Sequence, residues 1–207
     1  MKFKYWLINE VKWGSHRDGG GGTAVMGGGK GLSGLDFNTR VMRGKNVEQK
    51  IKDALSSVGI VIRPAGRNAD MYDKIDGYLI DGSPVQIKYR DTGLDILFEL
   101  IKPFDITSPL DNQPRGKDYR SKAVWFFILD PTGKTIYQIP TKSIRDLVDS
   151  TVKEIGGQPL FKPYTSGNGI QIRPVKDPSD GTPKVNAFIP PRAFQGIARK
   201  IPVNVEI

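Results

Sequence analysis

The chain has 207 residues, of which 38% are hydrophobic and 26% charged, and its formal net charge is +9. This length is enough for one domain with a sizeable core and an appended arm. The absence of cysteine excludes disulfides, thiolate zinc sites and cysteine nucleophiles, and it is compatible with a reducing cytoplasm. The first residues are too polar for a signal peptide, and no apolar run approaches the roughly 20 residues needed to cross a bilayer. We therefore expect a cytoplasmic protein without a membrane partner.

The single histidine, His16, lies among glycines, and we expect it to be a solvated loop residue. A catalytic site built on histidine is therefore not expected. Without cysteine or a placed histidine, any metal should be a hard cation with oxygen ligands, Mg²⁺ or Mn²⁺.

Positive charge is concentrated near the N-terminus. Residues 1–52 hold ten Lys/Arg and four Asp/Glu, a surplus of six, whereas residues 53–207 hold 21 and 18, a surplus of three. Such a surplus can serve only solubility, but its uneven placement favours a polyanionic partner, and we expect nucleic acid. The basic residues expected to contact it are Arg17, Lys30, Arg40, Arg43, Arg90, Arg115, Lys117 and Arg120.

Residues 1–45 are interpreted as a basic, glycine-rich arm. Glycines are dense between residues 13 and 36, which gives the backbone more freedom than packed elements tolerate. A phosphate-binding P-loop is excluded, because around Lys30 the first glycine position holds Ala24 and the final Ser/Thr position holds Gly31. Two interpretations remain: a flexible linker, or a loop that becomes ordered on nucleic acid.

A helix is expected to begin at Asn46, a good N-cap followed by Gln49 at the capping-box position, and to end at Gly59. Apolar residues recur at helical spacing at Val47, Ile51, Ala54, Leu55 and Val58. Glu48 would lie in the first turn. It either interacts with the helix dipole or contributes to a metal site.

A β-hairpin is predicted in the middle of the chain. Residues 73–80 and 84–90 alternate apolar and polar side chains around the turn residues 81–83. A turn of three residues would pair Tyr78 with Gln86.

The same register would pair Asp76 with Lys88, and period 2 places Gln86, Lys88 and Arg90 on one face of the second strand. A carboxylate, an amide oxygen and an ammonium would then converge. Such a patch suits a divalent metal acting on a phosphodiester. The alternative is a solvated polar face with a cross-strand pair worth roughly 0.2–1 kcal/mol.

Residues 46–156 are predicted to form the core of the protein. Residues 157–207 are predicted to form a Pro/Gly-rich β extension. Asp70 and Asp73, in the loop before the hairpin, are either solvated or at the edge of the site. The other predicted elements are a strand at 60–62, a buried segment at 93–101 that is either helix or strand, a polar loop at 103–121, strands at 123–129 and 134–140, and a helix from Thr141 or Ser143 to about Ile155.

The spacing resembles the PD-(D/E)XK nuclease superfamily, and the strings Asp73–Gly77 and Val85–Arg90 resemble small phage-encoded members. Asp76, followed after nine residues by Gln86-Ile87-Lys88, matches the superfamily motif, with Gln86 in place of the usual acid. The resemblance covers about residues 46–150. It implies an α/β fold in which helices flank a mixed central β-sheet.

The resemblance also implies a metal-dependent endodeoxyribonuclease. A Mg²⁺ or Mn²⁺ ion would be held by Asp76, the Gln86 side chain and the Ile87 carbonyl, with Glu48 completing the shell. Lys88 would orient or deprotonate the attacking water or stabilise the developing charge. Because Gln86 replaces an acid, the metal site has one negative charge fewer than usual.

Three functions therefore compete. The first is an endonuclease in phage recombination, junction resolution or homing, for which symmetric cutting of two strands would require a homodimer. The second is a DNA-binding protein that kept the nuclease fold and lost cleavage. The third is a phage structural or assembly protein whose arm packs against partners.

Overall fold

The computed structural model describes residues 37–90, 94–156, 159–177 and 181–206. The chain divides into two compact units, Met1–Val47 and Glu48–Ile207. His16, Arg17 and Lys30 lie outside the described residues. Arg40 and Arg43 belong to a described helix, but their side chains do not belong to the described part.

The chain mixes helices with runs of consecutive strands, which makes it a mixed α/β protein. The longer helices are α1 (Phe37–Ser57) and α3 (Thr141–Ile155), and single turns form α2 (Lys117–Arg120) and α4 (Pro191–Phe194). The strands are β1 (Arg63–Pro64), β2 (Gly77–Tyr78), β3 (Pro84–Tyr89), β4 (Ile96–Ile101), β5 (Trp125–Leu129), β6 (Thr135–Pro140), β7 (Tyr164–Thr165), β8 (Gln171–Lys176), β9 (Pro183–Ile189) and β10 (Arg199–Pro202).

The central sheet has six strands in the order β1-β2-β3-β5-β6-β10. Strands β3 and β5 are parallel and the other neighbours are antiparallel, so the sheet is mixed, as predicted. A parallel pair requires a long crossover, and here it runs through β4 and α2. The crossover brings the turn of α2 beside β4 and therefore positions part of the site described below.

A second, antiparallel sheet has the order β4-β9-β8-β7. The ambiguous segment 93–101 is therefore a strand, because it pairs with β9 from the end of the chain. Residues 159–206 contribute β7, β8 and β9 to this sheet and β10 to the central sheet. They are an integral part of the unit Glu48–Ile207.

The main core lies between the second sheet, α3 and one face of the central sheet. Phe98 of β4 and Phe126 of β5 are fully buried, with ring centroids 6.3 Å apart. As the apolar spacing predicts, α3 buries Ile144, Val148 and Val152 in the same cluster. Burial of this apolar surface is the main stabilising contribution, at roughly 25 cal/mol per Å².

Helix α1 differs from the prediction at its start. It begins at Phe37 and passes through Gly44 and Asn46, so Asn46 is not its N-cap and Glu48 is not in its first turn. One glycine inside a helix costs about 1 kcal/mol, which a helix of this length can absorb. The end agrees with the prediction, since the helix stops at Ser57 and Gly59 takes a positive φ of 84°.

The first strand and the hairpin register also differ from the prediction. The strand expected at 60–62 is instead β1, which begins three residues later, because pairing with β2 involves Arg63 and Pro64. In the hairpin, Tyr78 pairs with Pro84 rather than with Gln86. The Leu79 N–H donates a hydrogen bond to the Ser83 carbonyl, so the turn begins one residue earlier than expected. The register of the hairpin therefore moves by two residues.

Candidate functional site at the edge of strand β3

Asp76 lies immediately before the first residue of β2 and takes the place of a strand partner for β3. Its N–H donates to the Val85 carbonyl (2.9 Å), and its Oδ2 accepts the Ile87 N–H (2.6 Å). An extended residue directs its N–H and C=O to the same side, so the Ile87 carbonyl also faces the Asp76 edge. The predicted pairing of Asp76 with Lys88 is therefore wrong, and the Asp76 carboxyl group lies against Ile87.

The environment of Asp76 disfavours its charged form. Burial raises the pKa of Asp76 to about 6, and repulsion from Glu48 and Asp70 adds to it, although the Ile87 N–H and Lys88 act in the opposite direction. A partly buried carboxyl group whose pKa is raised in this way, near a second carboxylate, is typical of functional sites. A bound cation would relieve both the repulsion and the desolvation.

Gln86 supplies a second feature of a cation site. Its side chain is buried, and its Oε1 has no hydrogen-bond partner. An unsatisfied buried acceptor costs roughly 1–3 kcal/mol, so its retention calls for an explanation. A hard cation bound by oxygen atoms would satisfy this acceptor.

The donor set therefore fits Mg²⁺ or Mn²⁺ that keeps several waters. Within the described ranges, no three His, Cys, Asp or Glu side chains cluster as a metal site. The oxygens present at this edge come instead from two carboxylates, Asp76 and Glu48, from the Gln86 amide and from the Ile87 peptide. Mg²⁺ commonly uses only one or two protein carboxylates.

Glu48 is brought near Asp76 by α1. Its Oε1 accepts from Lys52 Nζ at 2.5 Å, one helical turn later, and Lys52 also donates to the Asp76 carbonyl at 3.0 Å. Lys52 thus connects α1 to the residue that precedes β2. Glu48 was expected either to interact with the helix dipole or to contribute to a metal site. The interaction with the dipole is excluded, because residue 48 lies in the interior of α1.

Lys88 lies on the same face of β3 as Gln86, but its main partner is not Asp76. Its Nζ forms an ion pair with Asp118 Oδ1 at 2.5 Å. The same Asp118 oxygen accepts from Gln86 Nε2 at 3.4 Å, and Oδ2 accepts the Glu99 N–H at 2.9 Å. Burial alone would raise the pKa of Asp118, but attraction by Lys88 and the Glu99 N–H hold that pKa below its usual value.

Asp118 was missed by sequence reasoning. It is 2% exposed, yet it lies in a stretch predicted as a polar loop, between basic neighbours. An acid within the run Arg115-Gly116-Lys117-Asp118-Tyr119-Arg120 was the available signal. Nothing in the local pattern indicates that α2 would point it at β3.

The remaining candidates are scattered around the site. Asp70 is exposed and acts on Asp76 only through its charge, while Asp73 forms an ion pair with Lys122 at 2.9 Å. Arg115 lies over the Tyr119 ring with its Cζ 4.5 Å from the centroid, and Arg120 is exposed. The predicted nucleic-acid contacts that adjoin the site are Arg90 and Lys117.

A cleft of about 220 Å³ opens beside Lys88 and Asp118. It extends from the ends of β3 and β5 to β4 and β9, and it includes Lys117, Lys184 and Asn186. The ion pair of Lys88 and Asp118 therefore forms part of the lining of this cleft. Within the described part of the chain, no helix has the length and apolar character needed to cross a membrane.

Comparisons of the chain with protein-family models, curated proteins and solved structures found no match.

Replacing Gln86 with Glu is expected to tighten Mg²⁺ binding, because a hard cation gains from a further carboxylate. Isothermal titration with Mg²⁺ measures the change. Gln138→Glu, in strand β6 of the same sheet, is the matched control and should leave the affinity unchanged. Unchanged or weaker binding by the Gln86 variant would mean that this side chain does not face the ion.

Proposed function

We propose that the chain is a metal-dependent endodeoxyribonuclease of the PD-(D/E)XK type. The observation that carries the proposal is the edge of β3. There the carboxyl group of Asp76, whose pKa is raised, accepts a hydrogen bond from the Ile87 N–H. The preceding residue, Gln86, has a side-chain oxygen without a hydrogen-bond partner. Lys88 follows Gln86 on the same face of the strand. Carboxylate, amide and peptide oxygens beside an ammonium are the groups needed to hydrolyse a phosphodiester.

Asp76, the Gln86 amide, the Ile87 carbonyl and Glu48 would hold Mg²⁺ or Mn²⁺. The ion would supply Lewis-acid stabilisation of the charge that develops on the scissile phosphate.

The residues of the chain itself provide positioning and charge. Lys88, which is paired with Asp118, would donate a hydrogen bond to a non-bridging phosphate oxygen or to the attacking water. Asp118 is a positioning residue. Its hydrogen bonds with Gln86 and with the Glu99 N–H fix its carboxylate, and that carboxylate in turn holds Lys88 in place. Lys52 donates to both the Glu48 carboxylate and the Asp76 carbonyl, and it thereby fixes these two residues relative to each other.

Plasmid nicking tests the proposal. Purified protein should nick supercoiled DNA with Mg²⁺ or Mn²⁺ and lose this activity in EDTA, and Lys88→Ala should abolish it. Lys142→Ala, on the exposed first turn of α3, is the matched control and should nick like the wild type. No nicking with either metal, at any DNA concentration, would overturn the proposal.

A DNA-binding protein without cleavage is the second candidate. Two observations favour it: Gln86 stands in place of the acid, and the Lys88 charge is compensated by Asp118. A gel shift without nicking would establish this alternative.

The glycine-rich arm should contribute to binding more than to cleavage. A truncation of residues 1–36 keeps all of α1 and removes Lys2, Lys4, Lys12, Arg17 and Lys30. If two or three of these contact phosphates, the slope of log K against log salt should become shallower by about two, at roughly 0.9 per contact. Cleavage at saturating DNA should survive, because the proposed site begins at Glu48.

A salt titration of DNA affinity for both proteins measures this slope. A full-length variant with the five basic residues changed to Gln separates charge from chain length. An unchanged slope in both variants would mean that the arm is a linker or contacts another kind of partner.

A further inference from the structure

The cleft beside Lys88 is too small for a duplex and suits one nucleotide unit. Its volume of about 220 Å³ is below the range of roughly 300–1,000 Å³ typical of pockets for drug-sized ligands. It shares Lys88 and Asp118 with the proposed cleavage site. Whatever enters it therefore lies next to the scissile phosphate.

One wall of the cleft is the outer face of the second sheet. Along β9, Val185, Ala187 and Ile189 are fully buried in the core, so the alternate residues point away from it. Two of these alternate residues, Lys184 and Asn186, line the cleft. Phe188 continues the same face by one step and is only partly buried.

Two guanidinium groups lie near the Phe188 ring. The Arg173 Cζ is 5.1 Å and the Arg90 Cζ 5.8 Å from the centroid of its ring. Arg90 also lines the cleft. Aromatic and arginine side chains on the face of a β-sheet are the groups on which proteins stack unpaired bases, and the arginines add attraction for the phosphates.

Asn186 supplies an independent sign of a ligand. Its side chain is 5% exposed and lines the cleft, and its Oδ1 has no hydrogen-bond partner. A buried acceptor of this kind requires a donor. The exocyclic amino and ring N–H groups of an unpaired base are such donors, whereas a phosphate is not.

The charges around the cleft fit a strand rather than a neutral ligand. Its lining includes four cations, Lys88, Arg90, Lys117 and Lys184, and three carboxylates, Asp95, Glu99 and Asp118. Two of the carboxylates lie in ion pairs with cleft lysines, Asp118 with Lys88 and Glu99 with Lys184. Lys184 also forms an ion pair with Asp177 at 3.0 Å. The lining adds two further cations, Arg90 and Lys117, which can attract a backbone phosphate.

We propose that this cleft receives one unstacked nucleotide of a DNA strand next to the scissile phosphate, with its base stacked near Phe188 and its edge bonded to Asn186. The proposal rests on the proposed nuclease function for the identity of the strand as substrate. It predicts a preference for DNA with an unpaired segment, such as a flap, bubble or single strand. In a continuous duplex the nucleotide must first be unstacked and unpaired, which costs free energy.

Fluorescence anisotropy in EDTA tests the proposal without cleavage. Three probes of one sequence are titrated with the full-length protein: a single strand, a blunt duplex and a duplex carrying a single-stranded flap. The wild type should bind the single strand and the flap at least about tenfold more tightly than the duplex. Equal affinity for all three probes would overturn the proposal.

The variants locate the preference. Phe188→Ala should weaken binding of the flap and single-strand probes by about tenfold and leave the duplex unchanged. Phe188→Tyr keeps the aromatic ring and should bind the flap and single-strand probes as tightly as the wild type. Phe161→Ala, which removes an exposed aromatic residue outside the cleft, is the matched control and should have no effect. Equal weakening of all probes by Phe188→Ala would contradict base stacking.

Two further arms separate the possible outcomes. If Phe188→Ala proves unstable in a melting experiment, Phe188→Leu keeps the apolar volume without the ring and should show the same selective loss. A labelled deoxynucleoside monophosphate represents a free nucleotide, and tighter binding of it than of the single strand would overturn the assignment to a strand.

Failure of this inference is distinguishable from failure of the nuclease proposal. Selective binding in EDTA without any nicking would support the cleft and reject the nuclease. Metal-dependent cleavage of continuous duplex at the same rate as flap DNA, unchanged by Phe188→Ala, would support the nuclease and reject the cleft.

Discussion

Asp76→Asn should lower the rate of DNA cleavage by about 10²–10³-fold, the usual cost of removing one catalytic electrostatic contact. The Asn side-chain oxygen can still accept the Ile87 N–H, so the edge of β3 should keep its geometry. What is lost is the charge that would hold the cation. Single-turnover cleavage with saturating Mg²⁺ measures the effect.

Asp70→Asn is the matched control for this experiment. Asp70 is an exposed carboxylate that acts on Asp76 only through its charge, and its loss should change the rate little. Cleavage by Asp76→Asn at more than about a tenth of the wild-type rate would mean that the proposed site is wrong.

The same substitution should stabilise the fold at neutral pH. Burial raises the pKa of Asp76 to about 6, well above the value of roughly 3.9 in an unfolded chain. The ionised carboxylate therefore lowers the free energy of unfolding once the pH rises through about 6, and this penalty is absent below about pH 4. In EDTA, Asp76→Asn should be more stable than the wild type at pH 7 by on the order of 2 kcal/mol and equally stable at pH 4.

The second large effect is expected at Asp118. Asp118→Ala removes a buried carboxylate that accepts from Lys88, from the Glu99 N–H and from Gln86. The variant should lose about 3–5 kcal/mol of stability, because the Lys88 ammonium and a buried N–H would lack their partner. Urea denaturation at pH 7 measures the change. A loss below about 1 kcal/mol would show that the ion pair contributes little.

A double variant separates the charge from the packing. Lys88→Met combined with Asp118→Leu removes both charges and retains apolar volume. It should be more stable than Asp118→Ala alone, because neither partner remains as an uncompensated charge. If the double variant is the less stable of the two, the loss comes from packing around α2 rather than from the ion pair.

Local sequence patterns determined the elements that need only near neighbours. Strands β5 and β6 and helix α3 lie where alternation, turn residues and apolar spacing predicted them. The hairpin lies at its predicted place because a turn and two alternating segments are encoded within a short stretch. Its register could not be read in the same way, since a turn that begins one residue earlier leaves the alternation intact and moves every pair.

The sequence by itself also determined the chemical groups of the candidate site, Asp76, Gln86 and Lys88, and the hairpin that carries them. Only the tertiary structure decided their partners. Lys88 and Asp118 are 30 residues apart, and they meet because the crossover between the parallel strands β3 and β5 carries α2 past β3. The cleft depends on β4 pairing with β9 from the end of the chain, which places Asn186 opposite Glu99. Contacts of this range arise from packing of whole elements, and no periodicity within a single segment encodes them.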